Sequence, residues 1–206
     1  EEFQPKWSPD GKEVAYLEER TTLRVYNVAG KQSRTVLPGD RNYSYSDGDQ
    51  HFAWSPDSKW LLANFLHKAQ WIGQAGLVSA AGDKEVIDLS RSGYGHWGPE
   101  WTMGGKAMLT YSSRDGMKNH ASWGGQMDAY ATFFTQEAFD RFNLSKEEFE
   151  LLKEEEDKKK EEEKNKEDTK GKTNAKKDGD KEKDADKDKV EPLKLELERI
   201  DDRRVR

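Results

Sequence analysis

Apolar residues in the first 135 positions come in short runs. "EVAYL" (13–17), "LRVYNV" (23–28) and "SRTVL" (33–37) follow one another, then "WLLANF" (60–65), "AGLVSA" (75–80) and "EVIDL" (85–89), then "AMLTY" (107–111). Runs of five or six rich in Val, Leu and aromatic residues and separated by Gly-containing turns predict half-buried strands. Each group reads as strand, turn, strand, longer loop, strand, Gly turn, strand.

The groups recur at a fixed interval. "KWSPDGKEVAY" (6–16), "AWSPDSKWLLA" (53–63) and "EWTMGGKAMLT" (100–110) place Trp7, Trp54 and Trp101 at 47-residue spacing, and likewise Lys12, Lys59 and Lys106. A period of 40–50 residues with four short antiparallel strands per unit is the signature of a propeller blade. The predicted fold class is therefore all-β: a partial β-propeller of four-stranded antiparallel blades over residues 1–135, with blades at about 3–37, 50–90 and 97–134. "SPDG" supplies a tight turn. Pro9 presets φ, Asp10 can accept from neighbouring backbone, and Gly11 tolerates positive φ. Ser58 replaces that glycine in the second copy, and "MGG" replaces "PDG" in the third. Asp10 and Asp57 accordingly read as turn residues and not as catalytic acids. The repeated Trp is expected to pack between adjacent blades, where a large ring buries much area.

The pattern changes after residue 135. "TQEAFDRF" and "LSKEEFELLKEEE" predict helices over 136–157, with Thr135 and Ser145 as N-caps and Ser145 with Glu148 as a capping box. Phe139, Phe142, Phe149 and Leu152 fall at roughly helical spacing, forming an apolar stripe. Glu–Lys pairs can extend that helix towards Lys164. Residues 158–190 hold too little apolar surface to offset ordering entropy, so a disordered Lys/Glu/Asp-rich insertion is expected there. "VEPLKLELERIDDRRVR" restores period-two alternation at Leu193, Leu195 and Leu197. Residues 191–206 thus read as a return to propeller strands, either completing the third blade or opening a fourth.

Composition sharpens this division. All seven tryptophans precede residue 124, whereas 146–190 contain 15 Lys against 18 Asp or Glu. Outside that segment 23 acids face 20 bases. No basic patch calls for nucleic acid and no acidic field for a cationic partner. The absence of cysteine excludes disulfides, thiol catalysis and a cysteine-rich zinc site. No apolar stretch approaches the roughly 20 residues of a membrane span. A start at "EEFQPK" and an end at "DDRRVR" suggest an internal piece of a longer protein.

Candidate chemistry is sparse. His51, His67, His96 and His120 form no metal-binding spacing. His120 and Ser122 lie close together in "NHASWGG", but a nucleophilic serine also needs a third group and an oxyanion hole, and there is no G-x-S-x-G elbow. "SDGDQ" (46–50) offers two carboxylates, short of the six to eight oxygens that calcium requires, and reads as a turn. "AGK" and "GGK" lack P-loop spacing and read as hairpin turns. No catalytic, cofactor-binding or metal-binding residue is assigned, and no cofactor is expected.

"WSPDGKEVAY" looks like the repeat of TolB-type and tricorn-type propellers. Three longer stretches, "YSYSDGDQHFAWSPDSKWLLANF", "SRDGMKNHASWGGQMDAYATFFTQEAFDRFNLSKEEFELLKEEE" and "LKLELERIDDRRVR", together resemble the propeller region of bacterial tricorn protease homologues, large serine peptidases with a C-terminal S41-type domain. The resemblance covers nearly the whole chain. It implies part of a second propeller in a protein with two propellers, a PDZ domain and a peptidase core. Such a segment would be non-catalytic and would guide or filter peptides, its innermost strands lying around 3–7, 50–54 and 97–101. No position matches the family's serine, histidine or oxyanion motifs. The implied partners are peptides or unfolded polypeptide, the PDZ and peptidase parts of the same chain, and further copies in a homo-oligomer. The implied compartment is the cytoplasm, or the periplasm if a signal peptide precedes this piece. A TolB-like protein-binding propeller and the propeller of a prolyl oligopeptidase-like enzyme are the alternatives; the downstream sequence discriminates among them.

Overall fold

The computed structural model describes residues 1–68, 70–116, 125–171 and 191–206, with side chains from 160 to 171 excepted. The chain divides into two compact units, residues 1–138 with 190–206, and residues 139–189.

The first unit holds three four-stranded antiparallel sheets. Blade 1 runs β1 (Glu2–Trp7), β2 (Glu13–Glu18), β3 (Thr22–Asn27) and β4 (Gln32–Leu37) in spatial order. Blade 2 runs β5 (Phe52–Trp54), β6 (Trp60–Leu66), β7 (Gly73–Ser79) and β8 (Ile87–Asp88). Blade 3 takes β9 (His96–Thr102), β10 (Ala107–Ser112) and β11 (Asp128–Phe133), then β12 (Arg204–Val205) as its outermost strand. The register repeats as the 47-residue period requires: Trp7 opposes Val14, Trp54 opposes Leu61, and Trp101 opposes Met108.

β12 pairs Ala131 with Val205 and Thr132 with Arg204. Arg204–Val205 thus supply the fourth, outermost strand of the third sheet. The leucine alternation survives as alternating burial, but no regular strand forms over 191–197. That stretch is held by single bonds instead: Leu193 N–H donates to Asp57 Oδ2 (2.9 Å) and Glu196 N–H to the Phe134 carbonyl (2.8 Å).

Period-two alternation places two cores on opposite faces of blade 2. Leu61, Phe65 and Val78 face Leu17, Val25 and Leu37 of blade 1. Leu62, Leu77 and Leu89 join Met108, Phe134 and Ile200. Adjacent residues Leu61 and Leu62 thus enter different cores, each fully buried and each contributing about 1.5–3 kcal/mol.

The "SPDG" turns form as expected and use their acids locally. Ser8 Oγ donates to Asp10 Oδ1 (2.6 Å), which also accepts from Lys12 N–H (3.2 Å). Ser55, Asp57 and Lys59 repeat this at the same distances. Gly11 has φ +70° and Ser58 +59°. Asp57 does one thing more than Asp10, since its second oxygen anchors Leu193. Asp57→Ala is therefore expected to cost about 1–3 kcal/mol and more than Asp10→Ala, as urea unfolding of the two variants will read.

In the helical region, α1 is Gln136–Phe142 and α2 is Lys146–Gly171. Both expected caps form: Ala138 N–H donates to Thr135 Oγ1, Glu148 N–H to Ser145 Oγ, and Ser145 N–H to Glu148 Oε2. Within the second unit, the Arg141 guanidinium pairs with Glu156 and lies 5.2 Å from the Phe149 ring centre. α2 continues past residue 157, where the charged insertion was expected to begin; the rest of that expected insertion, 172–190, lies outside the described residues.

Candidate functional site

The residues that sequence reading weighed for chemistry are spent on structure where they are described. Asp10 sits in its turn, and the Ser8 hydroxyl holds its carboxyl below the usual range. In "SDGDQ", Asp49 Oδ2 accepts from Tyr45 N–H (2.5 Å) and Ser46 N–H (3.0 Å). Burial would raise the Asp49 pKa, but these hydrogen bonds outweigh it and the carboxyl titrates below its usual range. Asp47 pairs with Arg20 (2.7 Å). Among the described residues no group of three His, Asp or Glu could hold a metal ion. His51 lies 3.1 Å from the Pro99 carbonyl and from Glu100, and His67 lies 2.9 Å from Asp88. His120 and Ser122 lie outside the described residues.

The feature that stands out is a rim of exposed aromatic rings. In each antiparallel blade the start of the first strand, the turn after the second and the loop into the next blade share one end. Tyr43 and Tyr45 belong to the β4–β5 loop, Trp71 to the β6–β7 loop and Tyr94 to the β8–β9 loop. Trp97 and Tyr111 are a cross-strand pair of β9 and β10 near the same end. All six are exposed, from 43% for Tyr43 to 80% for Tyr45.

These rings are positioned. Tyr43 packs edge-on against Tyr45 (4.6 Å between centres) and against Trp71 (4.9 Å). The Trp97 indole lies across Gly95 and beside Gly73, where a Cβ on Gly95 would come within 2.1 Å of the ring. A side chain at 95 would collide with the indole, so glycine there is what leaves the ring its room. Each exposed ring leaves apolar surface in water, and the touching rings of Tyr43, Tyr45 and Trp71 form an exposed patch of the kind that marks binding sites. Rings held at low conformational cost suit the alternating apolar and peptide groups of an extended polypeptide.

No periodic pattern announces this rim. Tyr43, Tyr45 and Trp71 occupy loops, follow no period, and converge only once blades 1 and 2 stack. The period did flag Trp54 and Trp101, whose indoles make inter-blade hydrogen bonds: Trp54 Nε1–H donates to the Lys6 carbonyl (3.0 Å) and Trp101 Nε1–H to the Ala53 carbonyl (3.1 Å). Trp7, at the equivalent place in blade 1, is 61% exposed instead.

No family model and no curated protein matches this chain. Among solved structures, the tricorn protease is similar over 66% of this chain at 11% identity, with a TM-score of 0.49. A Bacteroides ovatus protein described as a dipeptidyl aminopeptidase IV is similar over 63% at 16% identity, with a TM-score of 0.38. The match spans 14% and 22% of those two chains respectively. Among the described residues no helix is long and apolar enough to cross a membrane.

Proposed function

We propose that this chain is a non-catalytic propeller segment of a tricorn-like serine protease, which receives extended polypeptide on its aromatic rim and guides it to a peptidase domain outside these 206 residues. The observation that carries the reading is the gathering of Tyr43, Tyr45, Trp71, Tyr94, Trp97 and Tyr111 at one end of the three blades. The repeat phrase and its resemblance to tricorn-type propellers supply the context. Backbone groups of an extended peptide can hydrogen-bond while its side chains lie on the rings. The segment itself binds; bond cleavage belongs to the distant domain.

Isothermal titration of the chain with unfolded casein tests this. Binding is expected, and Trp71→Ala combined with Trp97→Ala should weaken it about tenfold, the worth of roughly 1.4 kcal/mol, with casein recovered intact. Both side chains are at least 44% exposed, so the melting temperature should hold. No binding, or binding indifferent to both rings, overturns the proposal.

A further inference from the structure

Blades 1 and 2 enclose a cleft of about 510 Å³ beside their outermost strands, within the usual range of small-ligand sites. One wall is the end of β4 with the loop after it, the other the turn between β7 and β8; Lys68 of the β6–β7 loop joins them. None of the six rim rings lines it. Antiparallel strands set its polarity: β4 and β6 run towards the rim end and β7 runs away from it. Asp40, Arg41 and Lys68, which follow β4 and β6, therefore lie at one end of the cleft. Asp83, Lys84 and Glu85, in the turn after β7, lie at the other. Between them Val36 and Val86 supply apolar lining.

The rim end of the cleft holds a guanidinium fixed in place. Arg41 N–H donates to the Pro38 carbonyl (3.1 Å) and its Nε–H to the Leu66 carbonyl (3.1 Å). The guanidinium carbon lies 5.4 Å from the centre of the buried Phe65 ring. Both terminal NH2 groups are without an acceptor among the described residues, and Lys68 is without an ion-pair partner there. Against Asp40 these two cations leave one net positive charge. At the opposite end Asp83 and Glu85 outnumber Lys84, whose ammonium lies 5.2 Å from the centre of the Trp60 ring. That end carries one net negative charge. A phosphate ester would use the positive end alone, and a neutral apolar molecule would use neither.

We infer that this cleft binds a short peptide with both termini free, its C-terminal carboxylate on Arg41 and Lys68, its N-terminal ammonium beside Asp83 and Glu85, and an apolar side chain against Val36 and Val86. A guanidinium whose two NH2 groups point at one carboxylate makes the stronger, charge-assisted kind of hydrogen bond. Because Nε and the Phe65 face already hold the group, little side-chain freedom remains to be lost on binding. The site is separate from the rim and does not rest on the reading of the rim: the cleft takes the free ends of a small molecule, the rim the middle of a long chain.

Isothermal titration of the full chain with the tripeptide Ala-Leu-Val reads the site. Binding is expected, and amidating the C-terminus or acetylating the N-terminus should each weaken it roughly tenfold. Arg41→Lys keeps the charge and loses the fork, and should also weaken it roughly tenfold. Lys68→Ala, at an exposed position, should weaken it without moving the melting temperature. Glu85→Gln should weaken the free tripeptide and leave the N-acetylated form unchanged, a pattern that a change in folding cannot imitate. Trp71→Ala combined with Trp97→Ala should leave tripeptide binding as it is, so this site and the rim can fail separately. No binding at millimolar tripeptide overturns the inference. So does an amidated tripeptide that binds as tightly as the free one, or binding lost with the two tryptophans and kept with the cleft variants.

Discussion

Ile200→Ala is expected to lower the unfolding free energy by about 2–5 kcal/mol, the range for truncating a fully buried aliphatic side chain. Ile200 lies in the last seven residues, in a stretch that reads "ERIDDRRVR" and looks dispensable. Yet it is 0% exposed and sits in the core shared with Leu62, Leu77 and Met108. Its neighbours fix it there. Arg203, 5% exposed, donates to the carbonyls of Phe133, Glu196 and Glu198, and Arg204 donates to those of Leu89 and Ser90. Truncation therefore leaves a cavity that the surrounding backbone is not free to fill. Leu151→Ala makes the control. That side chain is 62% exposed on α2, and its loss should change stability by less than about 0.5 kcal/mol. Urea denaturation of both variants checks the contrast. Equal, small effects would mean that the returning segment is not part of the blade 3 core.

The same segment marks where sequence reading reaches its limit. The three blades were legible because their cause is local and repeated: a tight turn, a Trp and an apolar run every 47 residues. The caps at Thr135 and Ser145 were legible for the same reason, since donor and acceptor lie three positions apart. The closing of blade 3 by β12 joins residues more than 70 positions apart, and nothing local to "DDRRVR" specifies which sheet edge it meets. Its arginines look like solvated charges because the carbonyls of Phe133, Leu89 and Ser90 that receive them lie at least 70 positions away. The aromatic rim was hidden in the same way. Each ring lies in a separate loop, and only the stacking of blades brings the loops to one end. Blade 3 also departs from the apolar pattern of its siblings. Thr110 and Ser112 stand where blade 2 has Ala63 and Phe65, and both are fully buried. The interior there is polar, and one residue in it titrates.

That residue is His96, and the molecule is expected to lose about 3 kcal/mol of stability as pH falls from about 6.5 to 4. His96 is 1% exposed, Nδ1 lies 3.5 Å from Thr110 Oγ1, and Nε2 has no partner among the described residues. Burial, and secondarily the positive charges of Arg204 and Arg114, push its pKa from 6.5 down to about 4; Asp88 opposes them only in part. The ring is therefore neutral in the fold across a range where it is already protonated in the unfolded chain. Between those two values the unfolded state binds the extra proton, so stability rises with pH through this window and is fully present above it. At about 1.4 kcal/mol per pKa unit the total is about 3 kcal/mol. Carboxyls whose pKa is lowered in the fold, such as those of Asp10 and Asp49, add their own losses mainly below pH 4. Urea midpoints measured at pH 7.0, 5.5 and 4.5 therefore isolate the histidine. His96→Gln, which cannot take up a proton, should flatten the slope between pH 6.5 and 4.5 whatever it does to stability at pH 7. A wild-type slope that survives the substitution would place the acid sensitivity elsewhere.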